Sequence, residues 1–241
     1  MTRLYAYCIC DGDEAGQLDF TGAVGVGGSP ARAIGVGGLS AVVGDFAGTH
    51  VAVSRDDVLA HNRVNGLVLA LTTPLPFRFG TLVTAERLGE HVRRNEAALR
   101  SALARVGGCV EMSVKIIRPA AGEGETRDVS ESEAANTGEG AAKVGRGAAY
   151  LAARRRALLG GERLRADAEE AAARLAACVS AVVRESSVRL SPAEALAVRA
   201  AHLVERGRAA EYQSRLREFA VSRPDLRLLT SGPWPPYSFV P

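Results

Sequence analysis

Two groups of strands and helices, separated by a glycine pair, predict an α+β protein with two domains. The chain has 241 residues, which suits two domains of ordinary size or one large domain, and 47% of them are hydrophobic, which is enough for a substantial core. Gly107-Gly108 closes the first group of elements. We therefore expect a small N-terminal α+β domain at 1–108 and a second domain at 109–241.

Short strands and a glycine-rich loop are predicted at the start of the chain. Strand-forming residues occupy 3–10, and further strands are expected at 39–43 and 51–53. The stretch 22–38 contains Gly-Val-Gly-Gly twice and is interpreted as a flexible or tightly turning loop. It lacks the lysine of a phosphate-binding P-loop and the third glycine of a dinucleotide-binding fingerprint.

Two helices follow, and each is preceded by a residue that can cap its first turn. Ser54 precedes a helix predicted over 56–71, and Thr84 precedes one predicted over 85–106. The second of these has a clear apolar stripe at spacings of three, four and seven residues. The stripe predicted for the first helix is partly polar and consists of Val58, Asn62, Asn65 and Leu69.

The second half begins with an alternating strand at 111–117. Residues 119–140 hold six acidic side chains and one basic side chain with almost no large apolar residue, which predicts a mobile acidic loop. Gly160-Gly161 could kink or split the helix that follows. The remaining predicted elements are a long helix over 143–184, a short strand over 188–190, a helix over 208–221 and a strand over 226–229.

Composition excludes several classes of function. The net charge of +3 is small for a nucleic-acid-binding protein, and no apolar run approaches the length of a membrane span. The N-terminus lacks the features of a signal peptide, so we expect a cytoplasmic protein. The histidines are widely separated and the four cysteines are interpreted as small buried hydrophobic residues, so no metal and no cofactor is predicted.

The last ten residues are aromatic and rich in proline, with the sequence Gly232-Pro-Trp-Pro-Pro-Tyr-Ser-Phe-Val-Pro241. Proline stiffens the backbone, so such a segment loses little entropy when it docks on a surface. Together with Leu75-Pro-Phe-Arg-Phe-Gly-Thr81, this run resembles the gas vesicle protein F/L family. Leu4-Tyr-Ala-Tyr-Cys-Ile9 and Gly145-Arg-Gly-Ala-Ala-Tyr-Leu151 also resemble segments of that family.

The resemblance has consequences for both fold and function. It implies a strand at about 197–205, where alanine-rich sequence alone favours a helix, and this strand completes a modified ferredoxin-like second domain with a long helix. It also implies an assembly factor that is not an enzyme. Such a factor binds the small hydrophobic shell protein, and possibly other accessory gas vesicle proteins, and limits shell-protein aggregation during vesicle nucleation. The alternatives are a minor structural component of the vesicle and a small-molecule enzyme.

The candidate interaction residues come from the matched segments. Phe77 and Phe79 are expected to face one way and Arg78 the other, as in a strand. Arg78 would contact shell protein or form an internal ion pair. His61 would contact a partner or Arg78, or be a hydrogen-bonded core histidine. The candidate set is His61, Phe77, Arg78, Phe79, Gly80, Trp234, Pro235, Pro236 and Tyr237.

Two aromatic residues of the C-terminal run, Trp234 and Tyr237, are expected to pack against the rest of the folded chain. Each ring would bury a large apolar area in that contact. The Trp234→Ala change would then lower the free energy of unfolding by ~3 kcal/mol if the ring is fully buried.

Overall fold

The computed structural model describes residues 3–118, 146–191 and 196–240, and its first half forms an antiparallel sheet with two long helices. The strands are β1 (Arg3–Asp11), β2 (Ala31–Val36), β3 (Leu39–Phe46), β4 (Leu75–Pro76) and β5 (Leu82–Val83). The helices are α1 (Gly12–Ala15), α2 (Arg55–Leu71) and α3 (Ala85–Val106). The sheet has the order β2-β3-β1-β4, and β5 pairs with the start of β1.

The second half is a four-stranded antiparallel sheet with two helices. Its elements are β6 (Cys109–Ile117), α4 (Arg146–Val179), β7 (Val183–Leu190), β8 (Leu196–Glu205), α5 (Ala209–Ser222) and β9 (Arg227–Trp234). The spatial order β7-β8-β6-β9 is the split βαβ arrangement of the ferredoxin-like fold. The α+β fold class is therefore confirmed, and β8 confirms the strand that the family resemblance implied. The division into two domains at 108 stays a prediction.

Three clusters of buried side chains hold the layers together. One lies between α2 and one face of the first sheet and includes Tyr5 and Val64. The second lies on the other face of that sheet, where Leu88 of α3 packs, and it also includes Phe239 from the chain end. The third joins the second sheet to α4 and α5 and includes Leu175 and Leu216. The helix-free face of the second sheet therefore contributes to the packing against the first half.

Both predicted helix caps are present. The hydroxyl of Ser54 accepts a hydrogen bond from the amide of Asp57 at 3.0 Å, and the hydroxyl of Thr84 accepts one from the amide of Arg87 at 3.3 Å. These bonds satisfy amides that the first helical turn leaves without a partner. The bounds of α3 match the predicted 85–106.

The prediction that Val58, Asn62, Asn65 and Leu69 form the buried face of α2 is wrong for the first two of these residues. Val58 and Asn62 are only half-buried. Asn65 and Leu69 are buried as expected, but His61 is buried as well, because polar groups from other elements hydrogen-bond its ring. The buried positions of α2 are Ala60, His61, Val64, Asn65, Val68 and Leu69.

The glycine-rich stretch 22–38 is not simply a loop, because it contains β2. Gly37 and Gly38 form the two-residue connection from β2 to β3, with φ values of +60° and +75°. A tight hairpin turn of this kind requires two left-handed residues, and glycine adopts that conformation without a steric penalty. The strand predicted at 51–53 is not formed; Val53 is 84% exposed between β3 and α2.

The second-half elements differ from the prediction mainly in length. The long helix ends at Val179, before 184, because β7 begins at Val183 and extends well beyond the predicted 188–190. β9 also extends past 229 to Trp234. Helix α4 continues across Gly160-Gly161, so the pair does not split it. The acidic loop predicted at 119–140 lies outside the described residues. No helix in the described ranges is both long and apolar enough to cross a membrane.

Candidate interaction site

The C-terminal tail, residues 235–240, lies against elements from both halves of the chain. Pro235, Pro236 and Phe239 are buried, and Tyr237 is half-buried. The tail contacts α2 through Tyr237, α3 through Phe239 and β6 through Ser238. This segment therefore links the two sheets, and its stiff proline backbone lowers the entropy lost on docking.

Tyr237 is hydrogen-bonded to two residues of α2. Its hydroxyl lies 2.8 Å from Nε2 of His61 and 3.2 Å from Nδ2 of Asn65. The other ring nitrogen of His61, Nδ1, lies 2.9 Å from the hydroxyl of Tyr5 on β1. A neutral imidazole has one donor and one acceptor nitrogen, so the two tyrosine hydroxyls satisfy both. The sequence predicted none of these pairings, which span up to 176 residues.

Burial keeps this network uncharged. Removal from water lowers the pKa of His61 to about 4 and raises the pKa of Tyr5 to about 12. Burial also raises the pKa of Tyr237. At neutral pH all three groups are neutral, and both His61 nitrogens are bonded. The geometry therefore suits holding the tail in place rather than moving a proton.

Two further contacts fix the end of the tail. The backbone amide of Ser238 donates to Oε2 of Glu111 at 2.7 Å, and its hydroxyl donates to Oε1 of the same carboxylate at 2.9 Å. Arg105 of α3 donates to the carbonyl of Phe239 and forms a 2.6 Å ion pair with Glu185. Glu111 is only 5% exposed, so the two bonds from Ser238 satisfy a carboxylate that would otherwise be buried without a partner. Sequence reasoning missed this pair, and the available signal was an acidic residue inside a predicted strand.

Removing the Tyr237 hydroxyl tests whether the network stabilises the fold. Tyr237→Phe is expected to lower the free energy of unfolding by about 1–2 kcal/mol, since buried polar atoms of His61 and Asn65 lose a partner. Urea unfolding followed by fluorescence measures the change. A double-mutant cycle with His61→Ala should give a favourable coupling energy, and an additive cycle would contradict the network.

The segment from Phe77 to Gly80 does not have the side-chain arrangement expected of a strand. Phe77 packs in the α3 cluster, whereas Phe79 packs in the α2 cluster with its ring 5.7 Å from that of His61. The two rings face different cores because β4 ends at Pro76 and the chain then turns, with Gly80 at φ +86°. The amide of Gly80 donates to the Tyr5 hydroxyl at 3.1 Å.

Arg78 and His61 do not meet. Arg78 is exposed and lines a cleft on the helix-free face of the second sheet, together with Tyr237. His61 instead contacts Tyr5, Asn65 and Tyr237 beneath the surface.

Trp234 does not pack on the chain's body as expected. Its side chain belongs to the last residue of β9 and is 39% exposed, with Nε1 donating to the hydroxyl of Ser231 at 3.2 Å. Leu229 on the same strand is 42% exposed. β9 is the edge strand of its sheet, with β6 as its neighbour in the described sheet order. The ring that sequence reasoning placed inside is therefore part of an exposed apolar edge.

Comparisons with known proteins agree over the whole chain. The family model described as gas vesicle synthesis protein GvpL/GvpF matches residues 3–241. Gas vesicle protein F2 of Halobacterium salinarum is 26% identical, covering 99% of this chain and 92% of that protein. Gas vesicle protein L of a Streptomyces species is 32% identical, covering 90% of this chain and 86% of that protein.

Solved structures show the same fold. The crystal structure of gas vesicle protein GvpF from Anabaena sp. PCC7120 aligns with a TM-score of 0.77 at 16% identity, covering 100% of this chain and 97% of that one. That of GvpF from Microcystis aeruginosa aligns with a TM-score of 0.72 at 16% identity, covering 99% of each chain. With the family match over residues 3–241, these findings show that the chain belongs to the gas vesicle GvpL/GvpF family.

Proposed function

We propose that this protein is a gas vesicle assembly factor that binds the small hydrophobic shell protein in the cytoplasm and limits its aggregation during nucleation. Membership of the GvpL/GvpF family places the chain in gas vesicle formation. The observation that carries the proposed mechanism is the edge strand β9, which exposes Leu229 and Trp234 and has no strand on its outer side among the described residues.

An edge strand of this kind suits an aggregation-prone partner. The backbone N–H and C=O groups on its outer side can pair with a strand of another chain, and exposed apolar side chains add burial. A shell subunit that has not yet assembled must expose both strand edges and apolar surface. Covering them transiently would lower the concentration of the aggregating species.

Binding without catalysis is supported by the state of the buried titratable groups. His61 and His202 are neutral and hydrogen-bonded to tyrosine hydroxyls. Burial raises the pKa of Cys10 to about 12 and also raises that of Cys8, so neither forms the thiolate that a nucleophile requires. No group of three or more histidine, cysteine and acidic side chains within the described ranges could hold a metal ion.

A direct binding measurement with an edge variant tests the proposal. Trp234→Ser is expected to weaken the complex with purified shell protein at least about tenfold, because a tryptophan that becomes buried in an interface is a typical hot spot. The matched control is Val221→Ser, which removes an apolar side chain that is 82% exposed on α5. Both variants should remain folded, with urea midpoints within about 0.5 M of the wild-type value.

Light scattering during dilution of denatured shell protein gives the functional readout. Wild-type protein and Val221→Ser should suppress the rise in scattering, and Trp234→Ser should suppress it less. Absence of any complex at micromolar concentrations would contradict the proposal. A fixed stoichiometric amount of this chain in urea-washed vesicles would instead favour the alternative of a minor structural component.

A further inference from the structure

Three basic side chains form a row across adjacent strands of the second sheet. Arg189 of β7 lies directly opposite Arg199 of β8, and Arg199 lies directly opposite Lys115 of β6. Directly paired residues share a face, and the core-facing neighbours Val114 and Val198 show that this row is on the side away from α4 and α5. All three members of the basic row are exposed.

The basic row is electrostatically unfavourable as it stands. Like charges directly opposite each other on neighbouring strands destabilise a sheet. None of the ion pairs found in the described parts of the chain uses a member of the row. Folding does not need these charges there, because all three side chains are exposed to solvent. An anionic ligand would turn the repulsion into attraction.

The row lines a cleft with room for a ligand. The neighbouring row on the same face, toward the C-terminal tail, has small side chains: Ala201 lies opposite both Ser187 and Ser113. The basic side chains therefore border a depression in the surface. Arg78 and Ser238 also line this cleft, which has a volume of ≈ 470 Å³. The cleft thus combines four cations with the hydroxyls of Ser113 and Ser187, which can donate hydrogen bonds to a ligand, whereas the Ser238 hydroxyl already donates to Glu111.

We propose that this cleft binds an extended acidic segment of a partner protein. Strands of a sheet are about 4.8 Å apart, so the row from Arg189 to Lys115 spans about 10 Å. Alternate side chains of an extended peptide lie about 7 Å apart on one face, so two or three carboxylates at alternate positions reach the row through flexible basic side chains. Arginine also pairs with carboxylates in a bidentate manner.

A nucleic acid fits the cleft less well. Single-stranded nucleic acids stack their bases on aromatic rings, whereas Tyr237, the aromatic residue that lines this cleft, is fixed by bonds to His61 and Asn65. The row is short, and the net charge of the chain is only +3. The cleft adjoins the β9 edge, because Leu229 lies directly opposite Lys115, but the proposal does not depend on shell protein as the partner.

The probe is a fluorescent nine-residue peptide of alternating glutamate and threonine, capped at both ends. We expect full-length protein to bind it with an affinity that falls as salt rises, and to bind the glutamine analogue at least about tenfold more weakly. The Lys115→Ser/Arg199→Ser variant should lose at least about tenfold in affinity. Its urea midpoint should equal or exceed that of wild type, because repulsion within the row is relieved.

The matched control removes two positive charges elsewhere. Arg63→Ser/Arg165→Ser changes exposed residues of α2 and α4 and should leave peptide affinity within about twofold of wild type. Equal losses in the two variants would overturn the proposal in favour of non-specific attraction. Tighter binding of a thymidine oligonucleotide of equal charge would overturn it in favour of nucleic acid.

One further outcome identifies a different occupant. The segment 119–140 of the chain itself carries six acidic side chains. In this outcome, wild-type protein fails to bind the peptide, while a variant with those six acids changed to glutamine or asparagine binds it. The chain's own segment is then the ligand and the partner proposal fails. Unchanged affinity after that replacement supports a partner.

Discussion

Replacing Phe239 by alanine is expected to lower the free energy of unfolding by about 3–4 kcal/mol. The ring is 6% exposed and belongs to the cluster that also contains Leu99, Val106 and Leu203. Truncation therefore leaves a cavity between α3 and the second sheet, because a close-packed interior collapses only partly around a lost ring. Urea unfolding monitored by circular dichroism measures the change.

The control is on the same ten-residue run. Trp234→Ala removes a larger ring, but that ring is 39% exposed, so the expected loss is below about 1 kcal/mol. If both variants lose the same amount, the tail is not docked through Phe239. If only Trp234→Ala destabilises the protein, the packing described for this run is reversed.

This pair of rings shows what the sequence alone can predict. Proline and aromatic content predicted a docked C-terminal run, and the buried tail agrees. The choice of ring could not be predicted, because it depends on where β9 ends. That strand runs to Trp234 and leaves it at an open edge, while Phe239 enters the core five residues later.

Local signals predicted some elements precisely and failed on others. Helix α3 has its predicted bounds because a capping threonine, an apolar stripe and two closing glycines all agree. β8 could not be derived from alanine-rich residues with helical propensity, since its conformation depends on pairing with β6 and β7. The family resemblance supplied that strand.

The candidate sites depend on contacts between distant segments. His61 was named from the sequence, but its partners Tyr5 and Tyr237 lie 56 and 176 residues away. The basic row was not foreseen either, because its charges are scattered along the sequence. It exists only in the register that places Arg199 between its two basic neighbours. Register is a tertiary property, so composition gave no indication of it.

Acid is expected to destabilise the protein through two buried histidines. His61 is 2% exposed, and His202 is 1% exposed with Nδ1 lying 2.7 Å from the Tyr212 hydroxyl. Burial lowers the pKa of each to about 4 from the usual 6.5. The unfolded chain therefore takes up protons below pH 6.5, whereas the folded chain does so only near pH 4.

This difference in proton uptake determines how the stability of the fold changes with pH. Between pH 6.5 and 4 the unfolded state binds more protons than the folded state. The contribution of the two neutral histidines to the free energy of unfolding is therefore fully present above this window and is lost as the pH falls through it. At pH 5 the expected loss is about 2 kcal/mol for each histidine and about 4 kcal/mol together. The slope of unfolding free energy against pH near 5.5 should correspond to uptake of about two protons.

A variant that lacks one of the two groups separates their contributions. His202→Gln keeps a polar side chain that can bond the Tyr212 hydroxyl but does not titrate, so the slope near pH 5.5 should fall to about one proton. Urea unfolding at half-unit steps from pH 7.5 to 5 measures this directly. A flat profile in wild type would mean that both imidazoles titrate normally in the folded state. The tail network would then be open to water, because only desolvation holds the neutral His61 between Tyr5 and Tyr237.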